Sequence, residues 1–85
     1  MSTLATIRQF ILDEIVRTPN IDLAPSDRLI DRGYLTSLDV VHLVVFLEQE
    51  LGVMIDPEDV TEEHFETLES ITRLVEQAKE TESQA

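Results

Sequence analysis

The chain has 85 residues, enough for one small domain with a single core and too few to enclose a cleft between two lobes, which argues against an autonomous enzyme. Eighteen Asp and Glu stand against six Lys and Arg, a formal charge of -12, so nucleic acid and anionic membrane surfaces are repelled and partners should present basic surfaces. Cysteine is absent and the two His are isolated, which excludes disulfides, thiolate chemistry and a structural zinc site; any thiol must come from outside.

Leu4, Ile7, Phe10, Ile11, Ile15 and Val16 recur at three- and four-residue steps and predict a first amphipathic helix over roughly 3 to 17, with Thr3 as its cap. Arg8, Asp13 and Glu14 interrupt this apolar run, which fits neither a signal peptide nor a membrane span, so a cytoplasmic location is expected. Thr18-Pro19-Asn20 should stop the helix, because a proline ring cannot continue the ladder. From Ile21 to Thr36 no period is sustained, and the scattered Leu23, Leu29, Ile30 and Leu35 should pin a long loop to the bundle, with a short helical turn around Asp27 to Ile30.

Leu38, Val41, Val44, Val45 and Leu51 then set a strong helical period, which Val40, Leu43, Phe46 and Leu47 widen until most faces are apolar. Such a helix should be central and surrounded by others, with Gly52 closing it. After Pro57, "TEEHF" reads as a short helix carrying Phe65 inward. A last amphipathic helix follows over about 68 to 79, with Leu68, Ile71, Leu74, Val75 and Ala78 on one face and Thr67 as cap. Residues 1–80 are thus expected to form a single domain and 81–85 a disordered polar tail. The acids of "DPEDVTEEHFE" do not make a calcium loop, since the central Gly is missing and Val60 stands where a ligand oxygen should be.

Ser37 sits where the loop turns into the central helix, and three readings are open. A hydroxyl residue there is ordinarily an N-cap, a role that Thr36 fills equally well. A catalytic serine fails on geometry, because His42, five residues on, lies well round the helix cylinder. An attachment point for an anionic group is favoured by the unpaired N–H groups and partial positive charge of a helix start.

The span "GYLTSLDVVHLVVFLEQELGVMIDPEDV" resembles the acyl and peptidyl (aminoacyl) carrier proteins, whose signature is a Gly and then Asp-Ser-Leu opening a long helix. The resemblance extends over nearly the whole chain. It implies an all-α fold, a four-helix bundle of three longer helices and one short one with a long loop between the first two. It also implies that a phosphopantetheinyl transferase attaches 4'-phosphopantetheine from coenzyme A to Ser37, where a thioester on the terminal thiol carries the cargo. Thr36 departs from the usual Asp, which leaves open which transferase acts.

The resemblance gives roles to the neighbours as well. Leu38 is either an apolar contact for partners or core. Asp39, Glu48 and Glu50 supply acidic recognition on the second helix or a solvated charged face. His42 and Val45 take the place of acidic surface in many fatty-acid carriers and suggest a more apolar docking patch, unless Val45 is buried. Glu58, Asp59, Glu62 and Glu63 stand near the third helix, within reach of a docked partner. The implied partners are an acyl- or aminoacyl-loading enzyme, either an adenylating enzyme or an acyltransferase, and a downstream acyltransferase or synthase. The carrier itself is expected to be a monomer and no enzyme. The second half of the chain is more similar to free-standing carriers of polyketide and nonribosomal pathways than to housekeeping fatty-acid carriers. The fatty-acid role is the alternative, and an unmodified acidic adaptor for a basic partner is the competing class.

Overall fold

The computed structural model describes residues 2–17 and 22–84, with side chains as far as 80. Among them the structure is helical and contains no strand.

Helix α1 spans Thr3–Phe10 and runs on as a wider π-helical segment, Ile11–Val16. Its cap is Ser2 and not Thr3: the Ser2 hydroxyl accepts the Ala5 N–H at 3.1 Å, while Thr3 Oγ1 takes the Lys79 ammonium at 3.2 Å. The wider segment carries the sequence neighbours Ile11 and Leu12 together into the core. It closes at Arg17 in the left-handed region (φ 58), and the expected stop at Thr18-Pro19-Asn20 lies outside the described residues.

Residues 22–36 are sewn to the helices through their own backbone. Arg8 Nε donates to the Leu23 carbonyl at 3.1 Å, and the Glu69 N–H donates to that of Pro25 at 3.2 Å. The Leu29 N–H bonds to the Glu66 carbonyl at 2.7 Å, and the Leu29 carbonyl receives the N–H groups of Tyr34 and Leu35. With these bonds made, Leu23, Leu29 and Leu35 can be buried without orphaning polar groups. The helical turn expected around Asp27 to Ile30 falls slightly later, across Arg28 to Gly33, because the Asp27 carboxylate is committed to the Ala24 N–H at 2.9 Å.

Helix α2, Ser37–Leu51, ends at Gly52 with φ 66, as the pattern requires. It is not enclosed on all sides. Leu43 and Leu47 are buried, but Leu38, Val41 and Val45 remain 66%, 53% and 46% exposed, because α1, α3 and the 22–36 segment cover only one side. The segment read as a short helix, "TEEHF", closes a single turn through Phe65 N–H bonds to Thr61 and Glu62, too short a run to propagate, and a 3-10 turn at Pro57–Asp59 precedes it. Phe65 does point inward, the largest fully buried side chain. Helix α3 runs over Leu68–Gln84, past the end expected near Lys79, since residues 80–84 hold no Gly or Pro to break it. Thr67 caps it, trading hydrogen bonds with Ser70 at 3.0 and 3.1 Å.

Candidate functional site

The mouth of α2 is organised by two residues that flank Ser37. The Asp39 N–H donates to Thr36 Oγ1 at 3.3 Å, and Asp39 Oδ2 accepts both the Thr36 N–H (2.9 Å) and its hydroxyl (3.0 Å). This capping box serves two of the orphan N–H groups of the helix start without using the Ser37 hydroxyl. Ser37, the first residue of α2, is exposed and its hydroxyl has no hydrogen-bond partner among the described residues.

A cavity of about 160 Å³ lies beside it. Ile30, Val40, Val41 and Val60 give it apolar walls, and Thr36, Ser37, Thr61 and Glu62 give it polar ones. Thr61 is held in turn by His64, whose Nδ1 lies 3.0 Å from the hydroxyl. Chemically the arrangement is a free hydroxyl at a helix start, next to a small amphipathic recess. The Ser37 hydroxyl is hydrogen-bonded to no base among the described residues, and no cluster of metal-ligating side chains occurs among them.

The candidate recognition residues divide into five groups. Thr36 and Glu62 share the cavity with Ser37. Leu38 and Val45 are exposed, and with Val41 they form an apolar row at three- and four-residue spacing along α2. Asp39 and Glu48 have intramolecular work: Asp39 closes the cap, and a half-buried Glu48 carboxylate oxygen accepts the Ile55 N–H at 3.2 Å, tying the exit of α2 back onto the helix. His42 is elsewhere, in the groove between α1 and α2 with Phe10 and Phe46. Glu58 is exposed and Asp59 half-buried in the 3-10 turn.

Three residues of this surface escape a reading of the sequence. Val41 looks like core by period, Val60 and Thr61 carry no motif, and only the fold sets them around Ser37 or in the open row. No described helix is long and apolar enough to cross a membrane.

Compared with known families, the chain matches the phosphopantetheine attachment site over residues 5–75. Among curated proteins it is 37% identical over 54 residues to Aminoacyl carrier protein 1 of Bradyrhizobium diazoefficiens, a match that covers 64% of this chain and 59% of that relative. The matched part therefore spans less than two thirds of the relative's length.

Proposed function

The chain belongs to the phosphopantetheine attachment-site family, and from that premise we propose that Ser37 is the attachment residue of a carrier for acyl or aminoacyl groups. As a member of this family the protein is a carrier and not a catalyst, with 4'-phosphopantetheine as its prosthetic group. The observation that supports Ser37 is the division of labour at the mouth of α2: Thr36 and Asp39 make the cap, so the exposed Ser37 hydroxyl is spare.

The residues present fit the group. A phosphodiester on Ser37 sits at the start of a 15-residue helix, where dipole and N–H groups favour negative charge by about 0.3–1 kcal/mol. The cavity walls of Val40, Val41 and Val60 offer apolar surface beside it. When bound, the arm supplies the terminal thiol on which a thioester forms, and the chain has no cysteine of its own. The rest of the protein holds that tether at high effective concentration near a docked enzyme.

The name of the relative supports an aminoacyl cargo; loading by an adenylating enzyme, in a specialised polyketide or nonribosomal pathway in preference to fatty-acid synthesis, rests on the resemblance of the second half of the sequence. The open row of Leu38, Val41 and Val45 supports partner enzymes with an apolar docking patch. The same reading takes residues 1–80 as the carrier domain, a monomer with 81–85 outside it, and the "TEEHF" segment, 61–65, as the short member of a four-helix set.

Incubation with coenzyme A and a broad-specificity phosphopantetheinyl transferase, followed by intact mass, tests the assignment. Wild type should gain one arm and Ser37→Ala none. No gain in wild type overturns the carrier reading for this chain, and a gain that persists in Ser37→Ala overturns the choice of residue.

A further inference from the structure

On the side of α2 turned away from the Ser37 cavity, the α1 and α2 surfaces meet through one aromatic contact. The rings of Phe10 and Phe46 stack with centroids 4.0 Å apart and planes 14° from parallel. Two adjoining recesses of about 330 and 270 Å³ share Phe10, Glu14 and Phe46. Both rings are only partly buried, so the groove has an aromatic floor open to solvent.

Its rim is acidic. Asp13, Glu14 and Glu50 line it against a single cation, Arg17, with His42 beside them. Gln9 Nε2 engages both oxygens of Asp13 at 2.9 Å, and Arg17 Nε donates back to the Glu14 carbonyl at 3.5 Å. The Glu14 and Glu50 carboxylates have no hydrogen-bond or ion-pair partner among the described residues.

We propose that this groove receives an arginine side chain of a partner protein. An aromatic floor with spare carboxylates at its edge is complementary to a planar cation that stacks on a ring and donates several N–H bonds in its plane. A lysine ammonium has the charge without the plane. The occupant belongs to a protein because the chain's charge of -12 repels nucleic acid and anionic lipid and draws in basic surfaces. Phe46 lies nine residues along α2 from Ser37, roughly 14 Å up the axis and half a turn round, so a partner held here leaves the Ser37 cavity uncovered.

The test is a titration of the unmodified full chain with acetyl-Gly-Arg-Gly-amide, followed by amide chemical shifts. Saturable shifts should centre on Phe10, Glu14, Phe46 and Glu50. Glu50→Gln and Phe46→Leu should each weaken binding about threefold, while Glu76→Gln, on exposed α3 surface, should leave it unchanged. The citrulline analogue should not bind, and the lysine analogue should bind about threefold more weakly. Shifts spread over every acidic face, or equal losses in Glu50→Gln and Glu76→Gln, overturn the proposal in favour of net charge alone. Equal binding of the citrulline peptide overturns it in favour of a plain apolar groove. Absence of any saturable shift overturns it outright, the groove then being closed by the chain itself.

Discussion

Thr36 and Asp39 cap α2 for each other, the Asp39 N–H resting on the threonine hydroxyl at 3.3 Å while the carboxylate takes the Thr36 N–H at 2.9 Å. Position 36 is where the sequence departs from the carrier signature, and the consequence of the change is local. Threonine keeps the oxygen that a cap needs and shifts the only carboxylate of the motif one turn up the helix, to Asp39.

That arrangement separates stability from modification. Thr36→Ala removes the cap acceptor and should cost about 0.5–2 kcal/mol in urea denaturation. Ser37→Ala, whose hydroxyl has no partner among the described residues, should stay within about 0.5 kcal/mol of wild type. A larger loss in Ser37→Ala than in Thr36→Ala would mean that the cap is assigned to the wrong hydroxyl.

The acidic residues predicted for recognition should part company in the same way. Glu48→Lys removes the acceptor of the Ile55 N–H and sets a second donor against it, so it should destabilise the fold by about 1–3 kcal/mol and speed amide exchange at Ile55. Glu62→Lys, exposed beside the Ser37 cavity, should leave the melting temperature unchanged and slow arm transfer, with a defect that shrinks as salt rises. If both variants melt as wild type does, the Glu48 bond contributes nothing measurable.

The apolar row makes the opposite salt prediction. Leu38→Ser and Val45→Thr remove half-exposed apolar surface that no element of the fold covers, so each should change stability by no more than about 0.5 kcal/mol. Each should raise KM for the enzyme that loads the carrier with little change in kcat, and the effect should persist across a salt series. A loading reaction indifferent to both substitutions places the docking surface elsewhere.

Much of this was legible from residue spacing, and the gaps have physical causes. The three long helices, the Gly52 exit, the inward Phe65 and the Thr67 cap follow from periodicity and end signals. Spacing says which residues are apolar, however, and not whether a neighbour exists to cover them, so Val41 reads as core although the described bundle leaves it open. Over six residues the α and π repeats differ too little to be told apart, which hides the widening at Ile11–Val16. Asp39 and Glu48 read as free charges because each carboxylate accepts a backbone N–H, of Thr36 and of Ile55, which every sequence carries and none displays. The cavity beside Ser37 joins residues 30, 36, 37, 40, 41 and 60 to 62, and only the tertiary fold brings those segments together.

Gly52 offers the cleanest check on how α2 hands the chain to the Pro57–Asp59 turn. Its φ of 66 lies where a side chain is strained, yet a Cβ there would meet nothing within 4 Å, so the cost of Gly52→Ala is conformational alone, about 1 kcal/mol in the urea midpoint. Asparagine tolerates this region better, and Gly52→Asn should recover part of the loss. The exit turn also sets the reach of Val53 and Ile55 into the core and of the Ile55 N–H to Glu48, so Gly52→Ala combined with Glu48→Ala should cost less than the two singles added. Arm transfer should be unaffected in Gly52→Ala, because Ser37 lies at the other end of a 15-residue helix, roughly 22 Å away along the axis. A transfer defect in Gly52→Ala at a temperature where it is fully folded would show that the exit of α2 is itself read by the transferase.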